Sequence, residues 1–234
     1  RLQDAGVVLT TRSLQLMNIG DPDKKVSFVE QWQGQPLMSL SVITCMDVIK
    51  LAIDEPDAVS CLVVGTESGR VLILNTAGTA ITKNIWVGAT PAFLAIHGEL
   101  EVGYRITVAG RDGKLYNIRN GELQQTIIQL EAPAVGLVRL ATSVMVGCMN
   151  DVVHCYQANG HKNFSVYMPA PILTMARLEV TAQRMTKCLL VALASGEVRI
   201  YNDRALVSKY TQPSPVTALH FGRYGREDNT LITV

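Results

Sequence analysis

The chain has 234 residues, 48% hydrophobic and 18% charged, with 21 Lys+Arg against 20 Asp+Glu for a net charge of +1. That balance lacks the basic footprint of nucleic-acid binders, no block of five like charges occurs, and no apolar stretch approaches the roughly 18 residues of a membrane-spanning helix. Five cysteines, Cys45, Cys61, Cys148, Cys155 and Cys188, are odd in number and have no CxxC spacing, so reduced thiols in a cytosolic setting are expected rather than a disulfide framework.

The N-terminus lacks a signal-peptide core and does not begin with Met. Both features are expected of a fragment of a longer polypeptide. Residues 1–36 read as an inserted segment. Residues 7–17 have the composition of a possible strand. One helix is predicted over about 21–33, with Asp21 as N-cap, Pro22 at the first helical position, Val26, Val29 and the Phe28–Trp32 pair at helical spacing, and Gly34 as the stop.

From residue 37 to 234 a short pattern recurs. It reads Gly65-Thr66-Glu67-Ser68-Gly69, then Ala109-Gly110-Arg111-Asp112-Gly113, Gly147-Cys148-Met149-Asn150-Asp151 and Ala192-Leu193-Ala194-Ser195-Gly196, at intervals of 44, 38 and 45 residues. Prolines 91, 133, 171 and 215 repeat at matching intervals, each ahead of a new apolar run. A period of this size built from strand–turn–strand units predicts an all-β fold, a β-propeller with four-stranded blades and a short inserted helix. Within a unit the innermost strand follows the proline, a hairpin turn closes the second and third strands, and a fourth strand ends the blade. The fourth strands are expected at residues 80–87, 123–130, 163–168 and 205–211. Small residues at Gly65, Ala109, Gly147 and Ala192 are expected to let neighbouring blades approach closely. The chain holds four units and the start of a fifth. The fifth would leave an unpaired apolar edge, so further blades are expected beyond this chain. A charge at Ile232, or at neighbouring Thr233 where its side chain faces inward, is expected to destabilise the last blade.

Chemistry-bearing constellations are sparse. His97, His154, His161 and His220 show no ligand spacing, and His154 is expected on a blade surface. No phosphate loop, dinucleotide fingerprint or nucleophile elbow is present. Inner-strand positions are mostly Val, Leu, Ala and Thr, which argues against an active site at the central mouth. No catalytic residue, metal or cofactor is expected. The richest polar segment runs from Phe221 to Asn229, where Arg223, Tyr224 and Arg226 precede Glu227 and Asp228. Arg and Tyr anchor protein interfaces; the competing expectation is a solvated turn with internal Arg–carboxylate pairing, such as Arg226 with Asp228.

Three strings carry a resemblance: Asp57 to Glu67, Met168 to Met175, and Ser195 to Tyr201 followed by Phe221 to Ile232. Together they resemble the N-terminal β-propeller of the first Bardet–Biedl syndrome protein family, a BBSome subunit, over most of residues 37–234. Residues 1–36 resemble that family's helical insertion. The resemblance implies a seven-bladed propeller of which this chain is roughly the later half. It also implies a non-catalytic docking surface for an Arf-like small GTPase in its GTP form, with GTP and Mg belonging to that partner. Other BBSome subunits and, indirectly, ciliary membrane-protein cargo are further implied partners, without nucleic acid, and with membrane reached only through the GTPase or the complex. The implied location is cytoplasmic, at the cilium or flagellum. The resemblance places the GTPase surface near residues 220–228, so the candidate partner-binding residues are His220, Arg223, Tyr224, Arg226, Glu227 and Asp228. The alternative is another WD-like trafficking or signalling scaffold; the Trp-Asp dipeptide of a standard repeat is replaced by Leu74-Asn75 and Tyr201-Asn202.

Overall fold

Thr10 and Asp21 each start a helix. In the computed structural model, which describes residues 10–34, 40–52, 58–140, 142–157, 159–181 and 185–234, helix α1 spans Thr11–Asn18 and α2 spans Pro22–Trp32. The Thr10 side chain accepts from the Ser13 amide at 3.2 Å and the Asp21 carboxylate from the Asp23 amide at 3.0 Å. Each satisfies an amide that the first turn leaves without a partner. The strand expected over 7–17 is therefore corrected: residues 7–9 lie outside the described residues, and 11–18 are helical. The cap at Thr10 and the run of good helix formers Leu14-Gln15-Leu16-Met17 outweigh the loose apolar alternation. The expected boundary at residue 36 also lies outside the described residues; the chain divides between Ser41 and Val42.

The second unit is made of antiparallel meanders. The first blade has β1 (Ile43–Lys50), β2 (Ser60–Thr66), β3 (Arg70–Leu74) and β4 (Ile81–Trp86). The second has β5 (Pro91–Glu99), β6 (Gly103–Gly110) and β7 (Lys114–Arg119), with β8 (Glu122–Leu123) and β9 (Ile128–Gln129) both paired to β7. The third has β10 (Ala134–Leu140), β11 (Ser143–Cys148), β12 (Val152–Gln157) and β13 (Lys162–Tyr167). The fourth has β14 (Ile172–Thr181), β15 (Met185–Leu193), β16 (Glu197–Asn202) and β17 (Ala205–Thr211), and a hairpin of β18 (Leu219–Tyr224) and β19 (Glu227–Thr233) follows. The first strands of successive blades lie beside one another, β1 by β5, β5 by β10, β10 by β14 and β14 by β18. One parallel bridge, Lys50 to Glu99, joins the first two meanders at the end of β5.

The fourth strand of the second blade departs from expectation. In place of one strand over 123–130, the chain leaves the edge after Leu123 and returns at Ile128. The detour packs on the next blade: a Cβ built on Gly160 would lie 3.3 Å from Thr126 and 3.4 Å from Ile128.

Apolar cores sit between blades rather than within them. Ile49, Val63, Val71 and Ile73 of the first blade meet Ile106, Val108 and Ile118 of the second. Ala109 and Leu115 meet Val144 and Val146 of the third, and Met145 and Val153 meet Leu189 and Val191 of the fourth. β15 is covered on both faces, so Leu189 to Leu193 form an unbroken buried run, as expected of a strand sandwiched between layers. Cys61, Cys148 and Cys188 are buried as small core residues.

Glycine matters at two kinds of position. The hairpin turns place Gly69, Gly113 and Gly196 at φ 77°, 76° and 83°, and in the third blade Asp151 takes the same region at φ 61°, which Asp visits more readily than most residues. Gly65 and Gly147 serve close approach. A Cβ on Gly65 would lie 2.9 Å from Pro91 Cβ of the next blade, and one on Gly147 would collide with Met175 Sδ. Gly65→Ala is expected to cost about 1–3 kcal/mol as an overpacking change, because the proline ring cannot turn aside. Gly147→Ala is expected to cost less, because Met175 can change rotamer. Thermal unfolding of the two variants checks the order.

His154 is a second correction. It is 1% exposed rather than on a surface, with Ser165 of β13 on one side of its ring and Glu131 of the second blade on the other. Its Nδ1 lies 2.8 Å from Ser165 Oγ and its Nε2 3.6 Å from Glu131 Oε2. Burial first, then the charge of Lys162, pushes its pKa below the usual histidine value. The unfolded chain therefore takes up a proton that the folded one refuses. Stability is retained above the unfolded value of about 6.5 and falls as pH drops through it toward the folded value. His154→Gln is expected to lose less stability than the parent between neutral pH and mild acid, read from denaturant midpoints.

Candidate partner-binding surface

The segment from Phe221 to Asn229 forms most of a hairpin. Tyr224 pairs with Glu227 across the two-residue turn Gly225-Arg226, with Gly225 at φ 62°, a turn that needs a residue free to adopt positive φ. Leu219, with Val216 of its own unit, packs against Ala192 and Val198 of the neighbouring blade. Its partner Thr233 and the next same-face pair, Phe221 with Leu231, turn the same way. Ile232 pairs with His220 and is only half buried. Of the two positions expected to be sensitive to a charge, the register selects Thr233, which shares the face of Leu219, because a strand alternates its faces.

All six sequence-predicted residues are exposed. The turn gathers Arg223, Tyr224, Arg226, Glu227 and Asp228 at its tip, whereas His220 lies lower on β18. Register breaks between Gly222 and Tyr224, so Arg223 stands at an irregularity. The internal Arg–carboxylate pair expected of a solvated turn is made by Arg223 rather than by Arg226. Arg223 Nε faces Asp228 Oδ1 at 3.8 Å, with the two side chains 70% and 76% exposed. The reason is geometric: the turn carries Arg226 to the tip, while Arg223 lies across the ladder from Asp228. A pair so exposed contributes about 0–1 kcal/mol and leaves both charges open to a partner.

Two exposed aromatics escaped the sequence reading. Trp86 and Tyr167 end the fourth strands of the first and third blades and are 66% and 78% exposed. The signal was available in the alternation at Trp86, which follows buried Ile85 and so faces out.

The inner strands line a cleft of about 720 Å³ that includes Asp47, His97, Arg139, Arg177, Glu179 and Lys187. Apolar residues such as Val48, Leu94, Ile96, Leu137 and Val138 line it too, and the charged groups stand among them. Glu179 is taken up by Arg177 at 3.2 Å and Lys187 at 3.0 Å. Burial pushes the Asp47 carboxyl up, and burial followed by the charges of Arg139 and Lys187 pushes His97 down. Among the described residues no group of three or more His, Cys, Asp or Glu is placed to hold a metal.

The family model of the ciliary BBSome complex subunit 1 matches residues 1–119. BBSome complex member BBS1 of Mus musculus is 38% identical over 231 residues, covering 98% of this chain and 39% of that protein. The Homo sapiens BBS1 is 38% identical over 225 residues, covering 96% and 38%. The chain thus spans well under half the length of these curated relatives. Among solved structures, BBS1N in complex with ARL6DN, from a lead-soaked crystal, matches with a TM-score of 0.81 and 73% identity over 84% of this chain and 63% of that one. Sqt1 of Saccharomyces cerevisiae, 10% identical with a TM-score of 0.61 over 85% of this chain and 58% of its own, shares the fold alone. With meandering blades, cores between them and these matches, the chain belongs to the ciliary BBSome complex subunit 1 family and carries part of its N-terminal propeller.

Proposed function

We propose that this chain is a non-catalytic docking module that binds an Arf-like small GTPase in its GTP form and so brings a coat-like ciliary trafficking complex to membranes. The observation that carries the reading is the solved BBS1N bound to ARL6DN, 73% identical across most of this chain. At that identity an interface on these blades is expected to persist. In this reading GTP and Mg are the partner's, other BBSome subunits hold the remainder of the protein, and cargo is reached indirectly. The protein works in the cytoplasm and at the cilium or flagellum.

The mechanism rests on stiffness. A GTPase orders its switch segments around the γ-phosphate and Mg²⁺ and releases them on hydrolysis. A hairpin surface fixed by its packing on the fourth blade fits only the ordered form. Arg223, Tyr224 and Arg226 supply area and directional donors, and His220, Glu227 and Asp228 surround them. Co-sedimentation with vesicles tests the reading. The full-length protein within its complex is expected to pellet when the membrane carries GTP-loaded Arf-like GTPase and to stay in solution with the GDP-loaded form. Equal recovery with both forms contradicts it.

A further inference from the structure

Between the second and third blades lies a cavity of about 180 Å³. Three arginines, Arg105, Arg119 and Arg139, share its lining with Asn117, Gln124 and Thr126, and no carboxylate lines it. Arg139 is the unusual member. It stands in β10 after buried Leu137 and Val138, is 8% exposed, and its Nε is buried without a hydrogen-bond partner among the described residues. A guanidinium in that position is costly unless an anion satisfies it. Burial, and then the like charge of Arg105, hold its pKa below the ordinary arginine value.

The remaining lining points the same way. Arg105 and Arg119 are register partners on β6 and β7, so they share a face and repel each other. Asn117 Oδ1 accepts from Thr107 Oγ1 at 3.1 Å, which leaves its amide NH₂ to donate elsewhere. The detour between β8 and β9 brings Gln124 and Thr126 to the cavity. Size completes the argument. The volume is below the roughly 300–1,000 Å³ of sites for larger organic ligands, and arginine forks match phosphate oxygens in pairs.

We propose that this cavity is a binding site for a phosphate group, held by buried Arg139 and by the more exposed Arg105 and Arg119. The group comes from a soluble phosphate monoester or from a lipid headgroup. The site is on different blades from the 219–233 hairpin and stands independently of GTPase docking.

The test is thermal unfolding of the full-length protein titrated with inorganic phosphate at constant ionic strength, with acetate as the carboxylate control. Phosphate is expected to raise the midpoint saturably, as a ligand of the folded state does, and acetate is not. In Arg105→Ala/Arg119→Ala the half-saturating concentration should rise roughly tenfold or more, and in Arg139→Gln the response should vanish. Arg139→Met without phosphate should unfold at or above the parent's temperature, because it removes a buried guanidinium whose Nε has no hydrogen-bond partner among the described residues; this keeps the proposal testable if Arg139→Gln folds poorly. Co-sedimentation with phosphatidylcholine vesicles containing phosphatidylinositol 4-phosphate, lost in the same variants, assigns the lipid source. Stabilisation by glycerol phosphate without such co-sedimentation assigns the soluble one. Absence of a saturable phosphate effect, an equal effect of acetate, or an undiminished response in the arginine variants overturns the proposal.

Discussion

Ile106→Asp is expected to abolish cooperative thermal unfolding of the propeller unit. Ile106 is fully buried in β6, opposite Ile96 and Ile118, and belongs to the core shared by the first two blades. A carboxylate there enters a cluster dominated by apolar side chains such as Ile73 and Val63. Burying it charged, or protonating it and burying it without hydrogen bonds, costs several kcal/mol, upward of about 4. Typical domain stability is about 5–15 kcal/mol, so most of the margin disappears. Ile106→Val removes one methylene at the same site and is expected to cost about 1 kcal/mol, lowering the midpoint by about 2–4 °C for a domain of this size. Circular dichroism melts of the two variants side by side check the claim. A normal cooperative melt for Ile106→Asp would mean that the cores do not lie between blades.

The second large effect concerns the hairpin. Arg223→Glu is expected to weaken binding of GTP-loaded Arf-like GTPase at least tenfold, about 1.4 kcal/mol, because it reverses a charge beside Asp228. Tyr224→Ala is expected to lose about 2 kcal/mol or more, as truncation of an aromatic interface anchor does. Neither change should unfold the protein: Arg223 is 70% and Tyr224 66% exposed, and surface substitutions of this kind stay within about 0.5 kcal/mol of the parent. Calorimetric titration alongside thermal melts separates loss of contact from loss of fold. Unchanged affinity in both variants, with unchanged melts, removes the hairpin tip from the docking surface.

The blades were legible because two independent punctuation marks share one period. The turn residues Gly69, Gly113 and Gly196 take the positive φ that a hairpin demands, and the prolines stand at the start of inner strands, where a missing amide does least harm. Gly65 and Gly147 were legible as close-approach positions for the same reason: radial geometry constrains side-chain size at a fixed point in every blade. Helix α1 was not legible, because the run from Leu14 to Met17 is short enough for strand and helix periods to fit it equally. The detour between β8 and β9 was hidden because its cause, packing on Gly160, is a contact with another blade. The burial of His154 and the isolation of Arg139 were hidden likewise. A strand shows which face a residue takes, but the groups that cover the face come from elsewhere in the chain. At the hairpin the cluster of polar residues was readable, and the partner of Arg223 was decided by turn geometry.

The measurement that bears most directly on the account is calorimetric titration of the full-length protein with one Arf-like GTPase loaded in turn with GTP and GDP. The account predicts saturable binding of the GTP-loaded form and at least hundredfold weaker binding of the GDP-loaded form, about 2.7 kcal/mol apart. Equal affinity for the two nucleotide states, or no binding of either, would contradict it.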